Sequence, residues 1–115
     1  MYPRLLVDLN KLKSNLDAVA KITKDQGGCS LMIVTKGLCA DPEMAKMVSN
    51  HPAVDFMADS RVMNIKTYAE EARKNGKMTV LLRIPMHAEV ADVVKYVDLS
   101  FNSELSTIRL LNEEA

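Results

Sequence analysis

Two kinds of segment alternate along this chain. Short, uninterrupted apolar runs are centred near Met32, Phe56, Leu81 and Leu99, and such runs are typical of strands buried on both faces of a parallel sheet. Between them, apolar residues recur every three or four positions, which is the spacing of one buried helix face. The chain is therefore predicted to alternate strands and helices, and this alternation favours an α/β fold with a parallel sheet.

Turn and cap residues set the predicted boundaries. The first helix should extend to about Gln26, where Gly27-Gly28 would end it. A short apolar run at residues 4–7 predicts one more strand before that helix. The last helix should bury Leu105, Ile108 and Leu111. The predicted N-caps are Asp8 or Asn10, Asp41 before Pro42, Asp59 or Ser60, and Ser103.

Two architectures fit the alternation. The strand centres are spaced by roughly 18 to 25 residues, which is similar to the repeat of an eight-stranded (β/α)8 TIM barrel, and this chain would form about half of one. A small doubly wound domain is also compatible with 115 residues. No Gly-rich phosphate loop marks any strand-to-helix turn, but periodicity alone leaves both architectures open.

Composition argues against several classes of function. Lys and Arg together number 15, and so do Asp and Glu, so the charge does not indicate a nucleic-acid or anionic membrane partner. The apolar runs are too short to span a bilayer, and no signal-peptide pattern is present. Cys29 and Cys39 lack the spacing of metal ligands. We therefore predict a cytoplasmic protein without a metal site.

Lys36 is the leading candidate for chemistry. It comes directly after the most apolar predicted strand, Ser30-Leu31-Met32-Ile33-Val34-Thr35, and ligands of parallel sheets bind beyond the carboxyl ends of the strands. A partly desolvated lysine can lose its proton and attack a carbonyl carbon, as Schiff-base lysines do. The alternative is that Lys36 only ends the strand and points into solvent.

Arg83 lies near the carboxyl end of the third predicted strand. A buried guanidinium needs an anionic partner, which would be a substrate carboxylate or Asp59, and a structural ion pair is the alternative. Alternation over residues 78–84 puts Arg83 on the same side as Thr79 and Leu81. We expect that side to face a barrel interior, with the bulkier opposite set packed under helices.

Ser60 and Asn102 follow two further predicted strands and are candidate substrate-binding residues. Ser60 is equally suited to cap a helix. His51 and His87 fall in predicted loops, where a histidine is more often solvated than catalytic.

Five motifs, in order along the whole chain, resemble one family. They are Asp8-Leu9-x-x-Leu12-x-x-Asn15, Val34-Thr35-Lys36-Gly37, Ala58-Asp59-Ser60-Arg61-Val62-x-Asn64, Leu81-Leu82-Arg83-Ile84-Pro85 and Phe101-Asn102-Ser103-Glu104. Together they resemble the alanine racemase N-terminal-domain family, the fold type III enzymes that use pyridoxal 5′-phosphate (PLP). The last three resemble more specifically its ornithine racemase branch.

The resemblance implies a PLP-dependent amino-acid racemase. Lys36 would hold PLP as a Schiff base and then act as one acid/base at the α-carbon. Residues 1–115 would be the N-terminal, incomplete part of the PLP-binding barrel domain. The second base, most of the phosphate site and a second domain would lie outside this chain, so the chain alone is expected to be inactive and the full-length protein to be a homodimer.

The substrate implied is a basic amino acid such as ornithine. Gly37-Leu38-Cys39-Ala40 stands where alanine racemase has a tyrosine and a glycine soon after its lysine, which argues against alanine. Ser60-Arg61-Val62-x-Asn64 is also similar to the non-catalytic PLP-homeostasis proteins of the same superfamily, and these are the main alternative. An unrelated α/β interaction domain is a third possibility, and it would bind no PLP.

Overall fold

In the computed structural model, which describes residues 1–115, four short strands alternate with helices. The strands are β1 (Met32–Val34), β2 (Phe56–Asp59), β3 (Met78–Leu81) and β4 (Leu99–Ser100). The helices are α1 (Leu9–Ala20), α2 (Pro42–Asn50), α3 (Val62–Lys74), α4 (Val90–Tyr96) and α5 (Leu105–Glu114). A π-helical segment, Lys21–Gln26, extends α1, and 3-10 turns Lys36–Leu38 and His87–Glu89 precede α2 and α4. The predicted alternation is confirmed.

The order of the strands distinguishes between the two predicted architectures. All four strands are parallel and pair in the order β1-β2-β3-β4, so neighbours in the sheet are also neighbours in sequence. A doubly wound sheet reverses its strand order at a switch point, whereas a barrel adds each strand beside the previous one. The structure is therefore an α/β fold consistent with part of a barrel.

The two faces of the sheet differ. Met57 and Leu81 are fully buried in the core, where they pack with apolar residues of the helices. The register places Val34, Val80 and Leu99 on the opposite face. That face has little cover at its edges, where Val34 is 42% and Leu99 is 44% exposed. In a barrel it would face the interior.

Two of the four predicted N-caps are confirmed. Asp8 Oδ1 accepts hydrogen bonds from the amides of Asn10 and Lys11. Asp41 Oδ1 does the same for the first turn of α2, which opens with Pro42. Each carboxylate satisfies amides that have no partner within the helix.

Several boundary predictions are wrong. Residues 4–7 form no strand and are exposed, because a strand needs a hydrogen-bonded partner and none of the described strands pairs with them. Arg61, rather than Asp59 or Ser60, is the N-cap of α3, and Glu104, rather than Ser103, is the N-cap of α5. The apolar face of the last helix is only partly buried, because α5 packs mainly against α4: Leu105 is 70% and Ile108 is 45% exposed, and Leu111 is partly buried against the core.

Asp98 joins β3 to the start of β4. Its Oδ2 accepts hydrogen bonds from the Thr79 amide at 2.7 Å and the Thr79 hydroxyl at 2.9 Å, and its Oδ1 pairs with Arg73 at 3.0 Å. Burial raises the pKa of Asp98, but the bonds from Thr79 and Arg73 lower it by more, so its pKa lies below the ordinary value of 3.8. Asp98 therefore stabilises the fold only while it is ionised.

The protein is expected to lose stability as the pH falls below about 4. The folded-state pKa of Asp98 is depressed, so its contribution is complete above the unfolded pKa and disappears as the pH falls through the folded pKa. Urea unfolding from about pH 7 to about pH 3 measures this, and Asp98→Asn should flatten the curve at the acidic end. Asp25→Asn, at an exposed acid in none of the ion pairs, is the control. A curve for Asp98→Asn parallel to that of the wild type would contradict the assignment.

Candidate active site

The carboxyl ends of the strands lie at one edge of the sheet, and the predicted site residues follow them. Lys36 comes after β1, Ser60 after β2, Arg83 after β3 and Asn102 after β4. Neighbouring strands in a sheet are about 4.8 Å apart, so side chains of adjacent loops can reach one another. The fold therefore brings these residues to a common edge, where barrel enzymes bind their ligands.

Lys36 begins the 3-10 turn directly beyond β1. Its side chain is exposed and belongs to none of the ion pairs. The carbonyl of Thr35 closes the turn, because it accepts the amides of Leu38 at 3.3 Å and Ala40 at 3.1 Å. Cys39 and Ala40 have φ values of 50° and 54°, which non-glycine residues seldom adopt. The lysine is thus carried by a tight turn with an unusual backbone.

A buried polar network lies beneath this turn. The Thr35 hydroxyl is 2.7 Å from Asp59 Oδ2 and 3.3 Å from the Tyr68 hydroxyl. Asp59 also accepts the Arg61 amide at 2.9 Å and the Asn64 side-chain amide at 3.1 Å. Thr35 and Asp59 are both fully buried. The network therefore connects the end of β1 to the end of β2 and the first turns of α3.

The direction of the hydrogen bonds follows from the chemistry of the three groups. Burial raises the pKa of Tyr68 to about 12; the bond with Thr35 lowers it, and the charge of Asp59 raises it. Tyr68 is therefore protonated at neutral pH and donates to Thr35, whose own proton goes to the shorter bond with Asp59. The network was not predicted from the sequence. Two features of the sequence could have indicated it: the hydroxyl of Thr35 ends an apolar run, and Asn64 and Tyr68 lie four residues apart on one helix face.

Arg83 is held by its neighbours. Its Nε donates to the Ser60 carbonyl at 2.7 Å, Nη2 to Glu89 Oε1 at 2.7 Å and Nη1 to the Ile84 carbonyl at 3.1 Å. The protein partner of Arg83 is thus Glu89 and not Asp59, because the Asp59 carboxyl is already used by the buried network. The hydrogen bond between Arg83 and Glu89 raises the pKa of Arg83 and lowers that of Glu89.

The predicted orientation of β3 is wrong. Thr79 and Leu81 lie under the helices, and Val80 is on the opposite face. A polar side chain is tolerated under the helices because the Thr79 hydroxyl has polar partners there: it lies 2.8 Å from the Tyr96 carbonyl and 2.9 Å from Asp98 Oδ2, which share its one proton, and it accepts the Asp98 amide at 3.1 Å. β3 ends at Leu81, so strand alternation does not fix the direction of Arg83.

The other candidates have mixed surroundings. Ser60 contributes its backbone carbonyl to Arg83. Asn102 Nδ2 donates to the Ser100 carbonyl at 3.1 Å and hydroxyl at 2.9 Å, while Asn102 Oδ1 is buried without a partner. Asn102 therefore keeps one unused acceptor at the carboxyl edge of the sheet.

The two histidines differ. His51 is buried rather than solvated, because its Nε2 contacts Asp17 Oδ1 at 2.8 Å and its Nδ1 accepts the Ala53 amide at 3.2 Å. It lies before β2, at the amino end of the sheet. His87 is exposed in the loop after β3.

An apolar cleft of about 280 Å³ lies beside the Lys36 turn. It is formed by α1, α2 and the free edge of β1, and Leu12, Val19, Val34 and Met47 are among its lining residues. No three His, Cys, Asp or Glu side chains come close enough together to bind a metal. No helix has the length and apolar character needed to cross a membrane.

Comparison with known proteins identifies two racemases. Ornithine racemase of Acetoanaerobium sticklandii is 44% identical over 115 residues, which is 100% of this chain and 31% of that protein. Lysine racemase of Thermotoga maritima is 26% identical over 113 residues, which is 98% of this chain and 31% of that protein. The chain therefore spans about a third of the length of each. No protein-family model and no solved structure matches.

Proposed function

We propose that this chain is the lysine-bearing part of an amino-acid racemase, starting from its confirmed resemblance to the alanine racemase N-terminal-domain family. The observation that carries the proposal is the position of Lys36. Its unpaired, exposed amine follows β1 at the carboxyl edge of the sheet, within the motif that resembles the lysine segment of that family. Residues 1–115 would be the N-terminal part of the barrel domain, in a cytoplasmic homodimer.

A basic amino acid is the proposed substrate. The two relatives are named for ornithine and for lysine, and both of these amino acids carry an amine at the end of the side chain. The whole chain matches the ornithine enzyme at 44% identity. Ornithine is therefore the first substrate to test, with lysine second.

The residues present fit PLP in part. When bound, PLP would supply an electron sink that stabilises negative charge at the α-carbon. The amine of Lys36 would be free to react with the aldehyde of PLP, because no acidic group holds it in an ion pair. Arg61 and Arg83 follow the next two strands, and cations there fit anionic phosphate or carboxylate groups. We place the remaining phosphate contacts outside residues 1–115.

The residues of this chain would bind the substrate and transfer a proton on one of its faces. Lys36 would move the α-proton on its side, and Arg83, Ser60 and Asn102 would bind the substrate. Arg83 is suited to this, because a guanidinium has five N–H groups and its protein partners use three of them. Inversion requires a second acid/base on the opposite face, which we place outside residues 1–115.

Solvent exchange at the α-carbon tests this function. The complete gene product, incubated with PLP in deuterium oxide, should incorporate deuterium into ornithine and lysine faster than into alanine, and should yield both enantiomers. Residues 1–115 at equal concentration should show no exchange, since they leave two sheet edges open and most of the phosphate site is placed outside them.

Three results would contradict the proposal in different ways. PLP binding without exchange would favour the non-catalytic alternative. Fastest exchange with alanine would overturn the basic specificity. Clear exchange by residues 1–115 would show that these residues alone suffice to bind PLP and move the α-proton, and conversion of one enantiomer into the other would place the second acid/base within this chain.

A further inference from the structure

Thr35 makes hydrogen bonds in three directions. Its amide donates to the Ala58 carbonyl of β2 at 2.8 Å, its carbonyl closes the turn that carries Lys36, and its hydroxyl donates to Asp59 at 2.7 Å. It is fully buried, although the side chain that follows it is exposed. Thr35 is therefore the point at which the sheet, the buried network and the Lys36 turn meet.

The network restrains Thr35 from the side opposite to the lysine. Asp59 receives three further N–H contacts, from the Arg61 amide and the Asn64 side chain, so its carboxyl group has little freedom to move. Tyr68 donates to Thr35 from α3. Each of these groups is fixed by the backbone of β2 or α3. A shift of the end of β1 would break several of these bonds at once.

We infer that Thr35 and Asp59 are positioning residues that hold the Lys36 turn in its place at the edge of the sheet. The inference rests on the proposed role of Lys36. Thr35 would not contact the substrate. It would act by fixing the backbone from which the Lys36 side chain extends. Catalysis is sensitive to such placement, since a displacement of about 1 Å can reduce a rate by about 100-fold.

Thr35→Val is the decisive variant, because valine keeps the shape of threonine and removes only the hydroxyl group. In the complete gene product it should lower the kcat of racemisation by about 10- to 100-fold, with the KM for the amino acid little changed. Thr35→Ser restores a hydroxyl and should recover most of the rate. Tyr68→Phe removes only the outer donor and should have the smallest effect of the three.

The matched control is Thr79→Val. Thr79 also bonds a partly buried aspartate, Asp98, but in the amino-terminal half of β3 and two strands away from the Lys36 turn. Both valine variants should lower the melting temperature, whereas only Thr35→Val should lower kcat. A purely structural network would lower the melting temperature in both variants and leave kcat unchanged in the folded fraction.

Hydrogen exchange gives a readout without cofactor or substrate. The amides of Leu38 and Ala40 donate to the Thr35 carbonyl, so a peptide covering residues 36–41 should exchange about 10-fold faster in cofactor-free Thr35→Val than in the wild type. Thr79→Val should leave this peptide unchanged.

The outcomes separate this inference from the proposed function. If Lys36 of the wild type carries no pyridoxyl label after reduction, the proposed function fails, and the positioning inference fails with it. If Lys36 is labelled but Thr35→Val shows wild-type exchange and kcat, only the positioning inference is overturned. Equal loss of kcat in Thr35→Val and Thr79→Val would also overturn it.

Discussion

Replacement of Lys36 by alanine is expected to abolish covalent attachment of PLP. It should also reduce the rate of racemisation by about 100- to 10,000-fold, which is the usual contribution of an acid/base group. The side chain is exposed and unpaired, so the melting temperature should change little. Borohydride reduction of the PLP-loaded wild type, followed by peptide mass mapping, should place the pyridoxyl group on Lys36.

Lys66→Ala is the matched control for Lys36→Ala. Lys66 is also an exposed lysine, but its Nζ lies 3.5 Å from Asp92, and it is in the middle of α3 rather than at a strand end. This variant should keep both the label and the activity. A pyridoxyl group found on Lys66 or Lys77 would show that the lysine has been assigned wrongly.

Arg83→Met is expected to raise the KM for the amino acid by about 10-fold or more, which corresponds to a charged hydrogen bond of roughly 1.5–3 kcal/mol. The reason is that one N–H on each terminal nitrogen of Arg83 is unused by the protein and can bind a substrate carboxylate. The variant should also lose stability by about 0.5–1 kcal/mol, because it leaves Glu89 unpaired in a partly exposed position.

The double variant Arg83→Met, Glu89→Gln separates the two effects. It removes the unpaired charge, so the melting temperature should recover while KM stays high. Arg73→Met is the control, since Arg73 pairs with Asp98 at the amino end of β4, away from the site. If Arg83→Met changes the melting temperature and leaves KM unchanged, Arg83 is a structural residue and the substrate carboxylate binds elsewhere.

The sequence predicted those features of the fold that depend on neighbours in the chain. Asp41 before Pro42 sets the start of α2, because the cap needs only the next three residues. Apolar runs located all four strands, since a buried parallel strand has no polar face. Residues 4–7 show the limit of this reasoning, because an apolar run becomes a strand only where another strand pairs with it.

The candidate site was predictable as far as single residues at strand ends. The position of Lys36 at the edge of the sheet could be predicted, because it closes an apolar run and strand ends share one edge of a parallel sheet. The hydrogen-bond partners of Arg83 and Asp59 could not be predicted from the sequence, because they depend on the path of the loops after β2 and β3. The Asp59 carboxylate accepts a hydrogen bond from the Thr35 hydroxyl, 24 residues away in the sequence. No local pattern predicts such a contact.

The sequential order of the strands also has a consequence for how the chain folds. Paired strand residues are separated by 24 residues between β1 and β2, 22 between β2 and β3, and 19 between β3 and β4. Each pairing spans only one crossover connection, so no strand has to wait for a distant part of the chain. The sheet can therefore grow one strand at a time as the ribosome delivers the chain, with each new helix covering the strand just added. The Thr35–Asp59 bond forms with the first strand pair, so the Lys36 turn can be set before the later strands are synthesised.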